Sequence, residues 1–141
     1  MLLTILLVFQ IFAGTPNHQV GQNSETELRN QVERYHNYFS KGRYDLMWEI
    51  LSKTVREQND NDKKGYIRQL RQYGFGKVKA EISEIEVEGN RCRVRVKITV
   101  WSKADKKWVS EIQDQTWVVE EDRWVFEGHQ VAESTTSAEG T

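Results

Sequence analysis

Residues 91–101 read RCRVRVKITVW and decide the fold. Apolar residues alternate with cationic or polar residues along this stretch, as they do along a β-strand that buries one face and exposes the other. The apolar face carries Cys92, Val94, Val96, Ile98 and Val100. The opposite face begins with Arg91, Arg93, Arg95 and Lys97. The stretch therefore predicts a strand of a sheet that packs one face on a core.

Short polar turns divide the second half of the chain into further strands. Before residue 91 the alternation of apolar residues changes phase near Ser83 and Glu84, which predicts a β-bulge. Turns are predicted at Gly89 and Asn90, at 102–107 and at 120–122. The last two strands are predicted at 108–119 and 123–131. The pattern indicates an antiparallel meander of about four strands.

Three helices are predicted before the strands. The first opens at the capping box SETE (24–27) and ends at Gly42. A short second helix follows, and a third begins at Asp60 or Asp62 and ends at Gly74, with the polar residues 56–64 predicted as a loop. The apolar stripe of the first helix is Leu28, Val32, Tyr35 and Phe39. Because helices precede strands instead of alternating with them, the predicted class is α+β.

The two ends of the chain lack this patterning. Residues 2–13 (LLTILLVFQIFA) form an apolar run that is shorter than the roughly 20 residues of a membrane span and suits the core of a secretory signal. The predicted organisation is a signal peptide at 1–15, a linker at 16–24, one domain at 25–131 and a disordered polar tail at 132–141. The predicted location is secreted or periplasmic, without a membrane span after processing. A buried N-terminal helix is the alternative.

The composition excludes several classes of function. The chain has 141 residues, which fits one domain, and its formal net charge of -1 argues against a general nucleic-acid-binding surface. Cys92 is the only cysteine, so an intrachain disulfide and a cysteine-based zinc cluster are excluded. The histidines lack the spacing of metal ligands, and no phosphate-binding glycine loop occurs. No metal and no cofactor are predicted.

Three stretches resemble the NTF2-like superfamily, which includes SnoaL-like and ketosteroid-isomerase-like proteins. They are YHNYFSKGRYDLM (35–47), VRVKITVW (94–101) and DQTWVVEEDRWVF (114–126), the last followed by His129. Over residues 25–131 the resemblance implies a cone, in which a curved antiparallel sheet wraps around the helices and leaves a pocket at the open end. It also implies a homodimer formed through the outer face of the sheet.

The resemblance does not extend to the catalytic motif of the isomerases. Residues 54–58 read TVREQ, where ketosteroid-isomerase-like enzymes carry a general-base Asp in a TVEDP-like stretch. Glu57 stands nearest to that base, but its charged neighbours do not form the apolar shell that tunes the pKa of a buried base.

A pocket in such a cone would be lined by aromatic side chains from the helices and the sheet. The predicted lining residues are Tyr35, Tyr38, Trp48, Tyr66, Trp117 and Trp124. The candidates for acid–base catalysis are Asp114, His129 and Tyr35. The alternation of the third strand leaves open whether the face of Asp114 or the face of Gln115 lines the pocket, because both faces carry apolar residues.

The cationic row Arg91, Arg93, Arg95 and Lys97 has two interpretations. Glutamates on neighbouring strands can pair with it across the sheet. The predicted partners are Glu84, Glu86, Glu88, Glu111 and Glu120. Alternatively, the row binds an anionic ligand or an acidic partner surface.

The sequence thus predicts an exported, non-catalytic domain that binds a small apolar or amphipathic molecule or serves as a dimerising accessory module. One alternative is a small isomerase, dehydratase or cyclase that uses a pocket Asp with His or Tyr. A second alternative is a protein-interaction module that uses the cationic row.

Overall fold

The computed structural model describes residues 22–136. The predicted signal peptide (1–15), residues 16–21 of the predicted linker and residues 137–141 of the predicted tail lie outside the described residues. The helices are α1 (Gln22–Ser40), α2 (Tyr44–Ile50), α3 (Lys53–Gln58) and α4 (Lys63–Tyr73). The strands are β1 (Phe75–Glu88), β2 (Arg91–Ser102), β3 (Lys107–Glu120) and β4 (Arg123–Thr136). None of the described helices is long and apolar enough to span a membrane.

The strands form one antiparallel sheet in the order β1-β2-β3-β4, which confirms the predicted α+β class and meander. The register of β1 and β2 shifts between Ile82 and Glu84, where the bulge was expected. β4 continues to Thr136, which pairs with Val109. The disordered tail predicted from residue 132 is therefore wrong over 132–136, since backbone pairing with β3 as far as Val109 compensates for a sequence that carries no strand pattern.

The helix limits follow local signals in the sequence. α1 ends with Gly42 in the left-handed conformation (φ 70°), and the backbone amide of Arg43 donates to the carbonyl of Tyr38 at 2.8 Å. This is the six-to-one bond of a Schellman motif. α4 begins where the Asp62 side chain accepts a bond from the Gly65 amide at 3.0 Å, and its C-cap Gly74 is also left-handed.

Two helix predictions need correction. α1 begins at Gln22, inside the predicted linker and before the capping box. α3 occupies the start of the predicted loop 56–64, because Ser52 accepts a bond from the Val55 amide at 3.2 Å and caps it. None of its residues is buried, so it has no apolar stripe that would reveal it in the sequence.

The core lies between the helices and one face of the sheet, called the inner face below. It contains Leu28, Val32 and Tyr35 of α1, Met47 and Trp48 of α2, the apolar residues of β2, and Trp117, Trp124 and Phe126. The segment between α2 and α3 runs along the outer edge of β4, where the Ser52 amide donates to the Phe126 carbonyl at 2.8 Å. This contact covers part of an edge that would otherwise expose unpaired backbone groups.

Candidate functional site

A row of polar side chains runs along the inner face of β3. Glu111, Gln113 and Gln115 alternate with outward-facing residues and lie opposite Ile98, Val96 and Val94 of β2. Directly opposed residues of antiparallel strands share a face, and these β2 residues are buried in the core. The face of Gln115 therefore points inward and that of Asp114 outward, which answers the question that the sequence left open.

Hydrogen bonds connect this row to the core. The indole Nε1 of Trp117 donates to Oε1 of Gln115 at 3.0 Å. Nε2 of Gln115 lies 3.0 Å from both Oε1 of Gln113 and Nε2 of His36. Nε2 of Gln113 donates to Oε2 of Glu111 at 2.6 Å. We call these five residues the polar network. Each of its amide and ring groups makes a hydrogen bond to another member of the network.

His36 joins α1 to this network as a neutral imidazole. Its Nδ1 lies 2.8 Å from the carbonyl oxygen of Val32, which can only accept, so Nδ1 carries the proton. Nε2 is then free to accept the bond from Gln115. Burial lowers the pKa of His36 to about 4, and the nearby His129 also disfavours its charged form. The site thus presents uncharged polar groups at neutral pH.

Four of the six predicted pocket residues form one aromatic cluster beside the polar network. Tyr35 packs edge-to-face on Trp117 with ring centroids 5.7 Å apart. The ring centroids of Trp48 and Tyr66 lie 5.3 Å apart. The hydroxyls of Tyr35 and Tyr66 influence each other's titration. The pKa of Tyr35 is raised well above its usual value, mainly by burial and to a smaller extent by Tyr66. Both tyrosines therefore stay protonated over the physiological range.

The remaining two predicted pocket residues lie at the margin of this cluster. Trp124 is buried in the core, and its carbonyl accepts a bond from Nε2 of Gln31 at 2.9 Å. Tyr38 is half-buried and packs against the core.

The structure does not bring the three candidate acid–base residues together. Asp114 lies on the outer face, where its carboxylate accepts two bonds from Arg95, from Nε at 2.8 Å and from Nη2 at 3.0 Å. Arg95 holds the pKa of Asp114 below its usual value. His129 is exposed, with its ring 6.1 Å from that of Phe126. Tyr35 is buried on the inner side of the sheet, so the sheet separates it from Asp114.

Two further residues that the sequence analysis considered are not reactive groups here. Glu57 is exposed on α3 and lacks the apolar shell of a general base. Cys92 is a buried free thiol whose pKa burial raises to about 12. A thiol with so high a pKa is a poor nucleophile at neutral pH. Within residues 22–136 no group of three His, Cys, Asp or Glu side chains could hold a metal ion.

Carboxylates form ion pairs with the three arginines of the cationic row on β2. Arg91 pairs with Glu127 at 3.3 Å, Arg93 with Glu86 at 2.9 Å and Arg95 with Asp114 at 2.8 Å. Lys97 lies opposite Glu81 in the register of β1 and β2. Of the glutamates predicted as partners, Glu86 pairs with Arg93, while the carboxylates that pair with Arg95 and Arg91 come from β3 and β4. The row is thus matched across the sheet.

The Arg95–Asp114 pair offers a direct test of this outer face. In a double-mutant cycle with Arg95→Gln and Asp114→Asn, we expect a coupling energy of about 1 kcal/mol. The value lies at the upper end for part-exposed pairs because both carboxylate oxygens are engaged. Urea unfolding of the four proteins measures it. A coupling energy of zero would mean that solvent screens the pair completely.

The sequence analysis missed His36 and Gln113 as site residues. A signal was present for each. His36 follows Leu28 and Val32 at intervals of four residues, so it is a polar residue on the apolar stripe of α1. Gln113 shares the parity of Gln115 and Trp117. Neither signal identifies a site residue until it is known which face of β3 points inward.

Comparisons with known proteins agree with this architecture. No family model matches the chain, and no curated protein matches it either. Among solved structures, the chain is similar to a protein from Novosphingobium aromaticivorans DSM 12444 that is provisionally named scytalone dehydratase. The sequence identity is 12%, the TM-score is 0.60, and the match covers 85% of this chain and 91% of that chain. The chain has an NTF2-like fold, as the sequence resemblance implied. At this identity the likeness concerns the fold alone.

Proposed function

We propose that this chain is a non-catalytic NTF2-like domain that binds a small amphipathic molecule at the polar network. The observation that carries the proposal is the inward-facing row of Glu111, Gln113 and Gln115 on a sheet whose β2 residues opposite are all apolar. A few polar groups in an apolar surround orient a ligand, and the apolar surface supplies most of its affinity.

The two ends of the polar network have different accessibility. Gln115 is 1% exposed and its amide is fully engaged with Trp117, His36 and Gln113. Glu111 and Gln113 are half-buried, so a ligand reaches them first. Because the Glu111 carboxylate only accepts hydrogen bonds, the ligand would offer a hydroxyl or amine donor there. Gln115 and His36 are then positioning residues that hold the amide of Gln113.

The chemistry of the network favours binding over acid–base catalysis. Both ring nitrogens of His36 are engaged, and its pKa of about 4 leaves it neutral at pH 7. A general acid or base works best when its pKa lies near the operating pH. Asp114 lies on the other face of the sheet and is paired with Arg95.

A second candidate is a dehydratase or isomerase, in keeping with the provisional name of the similar solved structure. It would use residues other than the predicted Asp114. The hydroxyls of Tyr35 and Tyr66 influence each other's titration, and the ring centroids of Tyr35 and His36 lie 5.2 Å apart. In this function a tyrosine hydroxyl would donate a proton and His129, which is exposed, would accept one.

Native mass spectrometry of the full chain purified from its source organism tests the proposal. We expect a co-purifying small molecule on wild type and its loss in Gln113→Leu, which removes the amide at nearly constant volume. Gln130→Leu is the matched control, because Gln130 is exposed and lies opposite the outward-facing Asp114. Wild-type protein that carries no molecule would contradict binding. A molecule that is chemically altered during incubation would favour the enzyme.

The same spectra bear on two other parts of the proposal. We propose that residues 1–15 are removed on export and that the outer face of the sheet forms a homodimer. A mass that lacks the signal peptide and a dimer peak are the expected results. An intact Met1 would contradict the cleaved signal peptide, and a monomer mass would contradict the homodimer.

A further inference from the structure

The strongest local excess of charge lies in α4 and the start of β1. Residues 63–80 contain six cationic side chains and no carboxylate, in a chain whose formal net charge is -1. These side chains are Lys63, Lys64, Arg68, Arg71, Lys77 and Lys79. The proposed ligand site does not use this segment's charge.

Three of these cations share one side of α4. Lys64, Arg68 and Arg71 are spaced by four and three residues, which places them on a single face of the helix. All three are exposed, whereas Tyr66 and Leu70 of the same helix pack against the core. We call Lys64, Arg68 and Arg71 the basic face. Together with Ile67 and Gln72 they line a depression of about 500 Å³.

The basic face has no counterpart within the described part of the chain. No carboxylate of residues 22–136 forms an ion pair with Lys64, Arg68 or Arg71. By contrast, the neighbouring Lys63 pairs with Glu49 at 3.0 Å, and the β2 arginines are paired across the sheet. Among the described residues, the fold thus pairs the β2 arginines with carboxylates but leaves the basic face without an ion pair.

The stability of α4 does not explain this arrangement. Like charges three or four residues apart repel each other on a helix. The first turn of α4 contains no acidic residue and begins with two lysines, which opposes the helix dipole. The Asp62 cap and the ion pair of Lys63 with Glu49 offset part of this, and Arg71 in the last turn has a favourable sign, but Lys64 and Arg68 gain no such compensation. A helix selected for stability alone would carry glutamates among these positions.

We propose that the basic face binds an acidic peptide segment of a partner protein. Charge complementarity is the argument, since arginine pairs with carboxylates through two parallel hydrogen bonds. The depression favours a peptide, because Ile67 at its lining can contact an apolar side chain between carboxylates that meet the cations.

Other anionic partners fit the basic face less well. A bilayer would need apolar side chains to insert beside the cations, but the exposed Tyr73 lies on the opposite side of the helix from Arg71. A single-stranded nucleic acid would need an aromatic platform, and none of the five lining residues is aromatic.

Fluorescence anisotropy of a labelled hexaglutamate peptide with the full chain tests the proposal. We expect saturable binding that weakens as salt rises, with no binding of hexaglutamine. The variant Arg68→Gln/Arg71→Gln should weaken binding at least tenfold. The matched control Arg91→Gln/Arg93→Gln removes the same charge from the β2 row and should retain the wild-type affinity. Circular dichroism melts confirm that both variants fold, and Lys64→Gln serves as a milder second variant.

Several results would overturn the proposal. One is an equal loss of affinity in the two double variants, which would mean that only net charge matters. Absence of hexaglutamate binding is another. Stronger binding to vesicles containing phosphatidylserine or to a thymidine oligonucleotide would identify a different partner. Concentration-dependent assembly that Arg68→Gln/Arg71→Gln abolishes would identify a second copy of this chain. Each readout is independent of the ligand proposed for the polar network.

Discussion

Trp117→Ala is expected to lower the free energy of unfolding by about 4 kcal/mol. Trp117 is fully buried, and its ring centroid lies 5.7 Å from that of Tyr35 and 5.5 Å from that of Phe126. Truncation removes these contacts and leaves a cavity at the centre of the aromatic cluster. It also removes the donor to Oε1 of Gln115, which then stays buried without that partner. Urea unfolding followed by circular dichroism measures the change.

Two variants separate the contributions to this loss. Trp117→Phe keeps much of the ring volume but lacks the indole donor, so we expect an intermediate loss. Trp101→Ala is the matched control, because Trp101 is a half-exposed tryptophan on the outer face that contacts Trp108. A loss for Trp117→Ala that is no larger than that for Trp101→Ala would contradict its central place in the core.

Between pH 6.5 and pH 4 the wild-type chain is expected to lose about 3 kcal/mol of stability through His36. The pKa of His36 is lowered from 6.5 to about 4 in the folded chain, mainly by burial. Above pH 6.5 the imidazole is neutral in both the folded and the unfolded chain, and its titration does not affect stability. As the pH falls below 6.5 the unfolded chain binds the proton first, so the folded state becomes progressively less favoured. The loss levels off below the folded pKa of about 4.

His36→Gln isolates this contribution, since glutamine keeps polar atoms near Gln115 and does not titrate. Its free energy of unfolding, measured by urea titration at several pH values, should change much less between pH 6.5 and 4 than that of wild type. The lowered pKa of Asp114 also reduces stability near the acid end of this window, but it does so in both proteins and therefore cancels in the comparison. Equal slopes for the two proteins would contradict the assignment to His36.

These two predictions concern the same hydrogen-bonded chain. Trp117 and His36 bind opposite ends of the Gln115 amide, so each variant removes one of the bonds that orient it. If Gln115 positions Gln113 for a ligand, both variants should also weaken the co-purification expected for wild type. Stability and ligand retention would then change together at this site.

Local patterns in the sequence determined most of the fold. The alternation in β2 predicted both the strand and its buried face, because side-chain direction in a strand reverses at every residue. Gly42, Asp62 and Gly74 marked helix limits, because their backbone or side-chain preferences act over a few residues. Where local signals were weak the prediction was wrong, as for α3, which buries no residue, and for the end of β4.

Only the tertiary structure decided the site. Both faces of β3 carry apolar residues, so the direction of Gln115 depends on pairing with Val94, and that of Asp114 on pairing with Arg95. Tertiary structure also decides the difference between the β2 arginines and the basic face of α4. The β2 arginines find carboxylates on three other strands, whereas Arg68 finds none in the described residues. A one-dimensional pattern records which residues can bury or pair, but partners come from strands distant in sequence, and their register is a property of the assembled sheet.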